Sequence, residues 1–114
     1  MNNYVKLKGN LGADPEFRKT QSGKEIALLS VGVSDSYFDK ESKEWKSEEV
    51  QWFKAAAFKP LDIYQAKNFK KGSLVNIEGK MKNKDYVDAK GITRTSLEII
   101  ISSIEEIVRR KKLN

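Results

Sequence analysis

The sequence contains no cysteine and no histidine. Without cysteine, disulfide staples and thiolate metal sites are excluded, and a reducing cytosol is compatible with the composition. Without histidine, zinc–imidazole centres and the commonest general base are excluded as well. Prolines number two and glycines seven, and no repeat, linker or low-complexity tract divides the chain. No apolar run approaches the ~18 residues of a membrane helix. The longest, LEIIISSI, is broken by Glu98, Ser102 and Ser103. The opening MNNYVKLKGN has no apolar stretch of the kind a signal peptide needs.

What is present describes one basic domain. At 114 residues and 39% apolar, the chain is long enough for a single core. Its formal net charge is +6. That balance favours a polyanionic partner, most often nucleic acid; the blander reading is a basic protein with no charged partner.

Strand periodicity dominates. Val5 and Leu7 alternate with Tyr4, Lys6 and Lys8, which predicts a half-buried strand. A turn-rich break, GNLGADPE, follows. Phe17–Thr20 is expected as a short strand, with a hairpin turn at Ser22-Gly23 leading into a strong strand over Glu25–Ser34. The polar segment SDSYFDKESKEWKSEE is expected as a long hairpin loop, and loops of that length are often functional. Val50–Phe58 is the next strand, and Pro60 opens a helix carrying Leu61, Tyr64 and Phe69, stopped at Gly72. Ser73–Met81 and Thr93–Ile101 are the last strands, with NKDYVDAKG between them as a loop or hairpin. Three strands, a helix and two strands give an all-β chain with the order of an OB-fold, a five-stranded Greek-key barrel with one helix between strands 3 and 4. A five-stranded sandwich is the structural alternative.

Two stretches carry the functional signal. In VQWFKAAAF, Trp52, Lys54, Ala56 and Phe58 share one strand face, and Gln51, Phe53, Ala55 and Ala57 share the other. Flat aromatics beside a cation are what single-stranded nucleic acid requires, because bases stack on the rings and the cation meets phosphate. The competing reading buries Trp52 and Phe58 and lets Lys54 snorkel. Beyond the helix, Lys80, Lys82, Lys84 and Tyr86 share the parity opposite to Val75, Ile77, Gly79 and Met81. A lysine row alone would only solvate a strand; the aromatic at its end points to a ligand.

GNLGADPEFR, WFKAAAF and FKKGSLVNIEGKM, in this order and spacing, resemble bacterial single-stranded DNA-binding proteins over roughly Tyr4 to Val108. The resemblance implies an OB-fold that wraps single-stranded DNA without strong sequence preference and assembles as a homotetramer, a dimer being the alternative. It implies an OB-fold DNA-binding domain over residues 1–108, with residues 109–114 as a flexible basic terminus. Trp52 and Phe58 match base-stacking aromatics of that family, and Tyr37 and Tyr86 fall where tryptophan is common. Lys54, Lys71, Lys82 and Lys84 fall at or near backbone-contacting basic positions; Lys80 joins them through the row above. Pro60 stands where lysine is common, with Lys59 beside it as a substitute. Phe53 matches a subunit contact, and Tyr4 and Lys6 lie on the first strand, expected as the unpaired edge for assembly.

Cellular members of that family usually carry a long Gly/Pro/Gln-rich tail with an acidic tip that recruits other proteins, whereas this sequence runs to RRKKLN. A naturally tailless version of phage, plasmid or replication-restart type and a core fragment are both open, and recruitment through an acidic tail is not expected. The expected location is the cytoplasm, and no cofactor or metal is expected. Catalysis would need carboxylates and a metal, and Asp85 and Asp88 form no convincing cluster. SGKE lacks the upstream glycine and the Ser or Thr of a phosphate-binding loop. A primosomal OB protein, or an OB module for RNA or protein, is the alternative reading.

Overall fold

The computed structural model describes residues 3–108, so the basic end at 109–114 lies outside the described residues. The elements run β1 (Tyr4–Leu11), β2 (Glu16–Lys19), β3 (Glu25–Val33), β4 (Ser36–Asp39), β5 (Glu44–Ser47), β6 (Gln51–Ala57), α1 (Pro60–Ala66), β7 (Leu74–Val87) and β8 (Thr93–Glu106). The main sheet is ordered β1-β7-β8-β6-β3-β2, and β1 also pairs with β3. Five long strands therefore close on themselves, with β2 appended to β3. Among the described residues, only β6 and β8 pair in parallel. This is the expected OB-fold barrel.

Closure is short. β1 meets β3 only at Asn10↔Gly32 and Leu11↔Val31, while it pairs with β7 from Tyr4 to Asn10. A Cβ on Gly9 would lie 2.3 Å from the carbonyl oxygen of Gly32. The two backbones approach this closely because Gly9 carries no side chain.

The interior follows from alternation. Ala27, Leu29 and Val31 of β3, Ala55 and Ala57 of β6, Val75 and Ile77 of β7, and Ile99 and Ile101 of β8 face one another. Val5, Leu7 and Phe53 pack against this cluster from its margin. Ile77, Ile99, Val31 and Val75 are fully enclosed, each contributing about 1.5–3 kcal/mol relative to exposure. Along β8 the inward residues change parity, from Ile101 to Ile104. A register shift accounts for it: Gly79 faces Ile101 but Glu78 faces Ser103, so Ser102 is the extra residue of a bulge.

Three expectations need correction, and one left open is decided. The segment after β3 is not a plain loop; β4 and β5 form a separate two-stranded ribbon, pairing Tyr37 with Lys46 and Phe38 with Trp45. The helix does not present Leu61 and Tyr64 to the core. It buries Asp62, Ile63 and Ala66 and ends before Phe69, which reaches the core from the following turn, and Gly72 lies beyond its C-cap at Lys67. Of the loop and hairpin readings of NKDYVDAKG, the hairpin holds: Asn83–Val87 extends β7, which turns back into β8, and Tyr86 sits within the strand. The last strand continues past Ile101 through Glu105 and Glu106.

The β7–β8 turn is organised by Asp88. Its carboxylate accepts the backbone N–H groups of Lys90 and Ile92 and pairs with the Arg94 guanidinium. The Arg94 contact, then the two backbone bonds, hold the Asp88 carboxyl below the usual aspartate range. Glu78 is likewise lowered, first by the Tyr4 hydroxyl that donates to it and then by Lys6. A depressed carboxylate contributes stability above its unfolded-state pKa and loses it as pH falls through the folded one. Urea midpoints should therefore hold from neutrality down to about pH 4.3 and fall below it. In Asp88→Asn the acid-side fall should be shallower; a fall as steep as the parent's would show that the turn carries no such linkage.

Candidate nucleic-acid interface

β6 alternates from Trp52 to Ala55, while Ala56 is buried although it shares the parity of Trp52 and Lys54. Ala55 and Ala57 enter the core with Phe53 at its margin, and Trp52, Lys54 and Phe58 face outward. Trp52 is 60% exposed and Phe58 49%. Of the two readings the sequence leaves open, burial of these aromatics is therefore excluded.

Trp52 has a built seat. It is the register partner of Gly32 on β3. A Cβ on Gly12 would stand 2.5 Å from the indole, and one on Gly32 2.8 Å. The six-membered ring of the indole thus lies against bare backbone from two segments, while most of the residue stays exposed. An adjoining groove of about 440 Å³ follows the β1–β3 seam and includes Lys8, Asn10, Val50 and Trp52.

Pairing brings the second signal onto the same sheet. Residues in register across neighbouring strands point to the same side. Ser30 faces Lys54, Lys54 faces Glu98, and Glu98 faces Lys82, making one row across β3, β6, β8 and β7. Lys80, Lys84 and Tyr86 lie along β7 on that side, against Ile100, Ser96 and Arg94 of β8. Lys54, Lys80, Lys82 and Lys84 are exposed and, among the described residues, take part in no ion pair. They are free cations beside an exposed indole.

The remaining expected residues are placed otherwise. Tyr37 is exposed, but on the β4–β5 ribbon, whose base is joined to the barrel end by Ser34 bonding the Glu48 carbonyl at 2.9 Å. Lys71 is exposed in the turn before β7, its backbone N–H donating to Asp14 at 2.7 Å. The Lys59 ammonium is occupied: it donates to the Ser102 carbonyl and lies 3.6 Å from buried Asp62. Phe53 is half-buried against the core. Tyr4 and Lys6 are exposed on β1 and converge on Glu78, at 2.7 and 3.6 Å; donation to that carboxylate raises the Tyr4 phenol above its usual range.

Sequence reasoning did not connect Gly12 and Gly32 with Trp52, although a glycine inside a strand is a signal of close approach. It also left unpaired Phe38 and Trp45, whose rings meet edge-to-face at 5.6 Å on the exposed ribbon. Among the described residues no group of three or more acidic side chains could hold a metal, and no helix is long and apolar enough to cross a membrane.

A model of the single-strand binding protein family matches residues 2–107. The chain belongs to the single-strand binding protein family. It is 30% identical over 112 residues to single-stranded DNA-binding protein 1 of Xylella fastidiosa, covering 98% of this chain and 82% of that one. It is 32% identical over 101 residues to a single-stranded DNA-binding protein of Paenarthrobacter aurescens, covering 89% of this chain and 59% of that one. A small single-stranded DNA-binding protein from Streptomyces coelicolor superposes with a TM-score of 0.77 at 25% identity, over 95% of this chain and 97% of the other. The Plasmodium falciparum SSB in complex with ssDNA superposes with a TM-score of 0.81 over the same shares; at 18% identity it bears on the fold alone. Proteins of the single-strand binding family are DNA-binding proteins rather than enzymes.

The indole seat is directly testable in this family member. In a Trp45→Phe background, Gly12→Ala should shift Trp52 emission and change its quenching by acrylamide, because a methyl group occupies the space under the ring. Far-UV circular dichroism should be unchanged. Identical emission and quenching would mean that the indole does not rest on Gly12 in solution.

Proposed function

We infer that this chain binds single-stranded DNA with little sequence preference and protects it during replication, recombination or repair. The observation that carries this reading is the exposed Trp52 indole on the same outward sheet face as four unpaired lysines. Bases stack on Trp52 and Phe58, while Lys54, Lys80, Lys82 and Lys84 meet phosphates. Stacking uses the π-face every base possesses, and nothing in this constellation matches a hydrogen-bond code for one base. Tyr86 continues the stacking surface along β7, and Tyr37 and Lys71 extend contact beyond the barrel face. Lys59 is set apart from them, because its ammonium is committed to Ser102 and Asp62.

The chain acts by binding rather than catalysis. Its composition offers no imidazole or thiol, and Asp88 is spent on a turn. Residues 1–108 form the binding domain. The working unit is a homotetramer, with a dimer as the alternative, located in the cytoplasm. The β1 strand supports assembly: over Tyr4–Gly9 it has a β partner on one side only, among the described residues.

Affinity for oligo-dT should fall steeply with salt as counterions are released. Lys82→Ala should reduce the slope of log K against log salt by about 0.7, the share of one phosphate on a single strand. Lys59→Ala should leave the slope unchanged and lower the melting temperature. Trp52→Ala should cost about 1–3 kcal/mol of binding. Competition against duplex DNA and RNA completes the test: duplex binding equal to or tighter than oligo-dT would reject the function, and preference for RNA would reassign the ligand.

A further inference from the structure

Phe58 belongs to two surfaces. One is the exposed surface at the end of β6, where Phe58 follows the last strand residue, Ala57. The other is a groove of about 540 Å³ between α1 and the β2–β3 hairpin, where Phe58 and Tyr64 flank a floor of Pro60 and Ile63 and Lys24 stands at the rim. We propose that this groove is a further nucleotide subsite, which receives the base beyond the one stacked on Phe58 and leads the strand off the barrel face across α1. The proposal rests on the single-stranded DNA reading above and adds a direction of travel to it.

Three observations converge on a nucleotide. First, Tyr64 is 69% exposed. The helix spends a large aromatic on solvent while burying Asp62 and Ile63, so packing does not explain its position. Second, the groove repeats the chemistry of the Trp52 region: apolar and aromatic surface for a base, with ammonium groups at its edge. Third, the charge of the rim suits a phosphate. Glu25 is the acidic group there, and it is matched by Lys67 at 3.2 Å. Lys67 is further held 5.9 Å from the Phe17 ring centroid. Lys24 takes part in no ion pair among the described residues, which leaves its ammonium to the backbone. Continuity through Phe58 makes the next stretch of the same strand the occupant, rather than a separate ligand.

The test measures affinity of the full chain for an oligo-dT of about 16 nucleotides, the upper site size of one OB-fold. Tyr64→Ala should weaken binding about fivefold or more, the lower bound for a stacked base. Tyr64→Phe should bind as the parent does, because the ring and not the hydroxyl stacks. Lys24→Ala should reduce the salt slope by about 0.7. A strand carrying iodo-deoxyuridine should cross-link to Tyr64 on irradiation. Thermal melting identifies any variant whose loss reflects unfolding, and Lys24→Ala provides a readout independent of the helix. If Tyr64→Ala and Lys24→Ala both match the parent while Trp52→Ala is weakened, the subsite is overturned and the barrel-face reading stands. If Trp52→Ala also matches the parent, both fall together.

Discussion

The approach of Gly9 to Gly32 holds the barrel and its outer face to one geometry. A Cβ on Gly9 would meet the Gly32 carbonyl oxygen, so β1 reaches β3 only because side chains are missing there. Gly32 is also the register partner of Trp52 and lies beneath its indole. One glycine thus serves both contacts: its carbonyl meets Gly9, and its bare Cα leaves room for the six-membered ring of the indole. An aromatic laid over a cross-strand glycine protects exposed backbone in a sheet and is itself fixed in orientation. Here the six-membered ring is held against backbone while the residue is 60% exposed, so the indole is both fixed and accessible.

Division of labour between the two sheet faces follows. Small residues, Ala27, Ala55 and Ala57, let β3 and β6 come together around Ile77 and Ile99 inside the barrel. The outside can then carry large aromatics without loss to the core. Unpaired lysines are tolerable there because water solvates them. Charges with structural work are kept apart from them: Lys59 on Ser102 and Asp62, Lys67 on Glu25, Arg94 on Asp88.

Much of this was legible from alternation wherever one strand face was buried. The residues sharing each face of β3, β6 and β7 were readable one by one, but which face of β6 turns outward stayed open until the exposure of Trp52 and Phe58 decided it. Legibility failed where no face is buried. The β4–β5 ribbon and the outer half of β7 are largely exposed on both sides, so period-2 patterning has little to mark, and they read only as a long hairpin loop and as a loop or hairpin. The helix was misjudged for a related reason: at seven residues its core contact reduces to Ile63 and Ala66, while buried Asp62 and exposed Tyr64 run against the apolar rule. At the site, residue type identified the aromatics and the lysine row. It could not separate free lysines from committed ones, because a partner such as the Ser102 carbonyl lies 43 residues away in sequence.

The central claim is that Trp52 offers its open side to a base. It is tested most directly by titrating oligo-dT into a Trp45→Phe variant, in which the remaining tryptophan fluorescence comes from Trp52. The account predicts saturable quenching that is lost at high salt together with binding. Full binding with no change in Trp52 emission would contradict it.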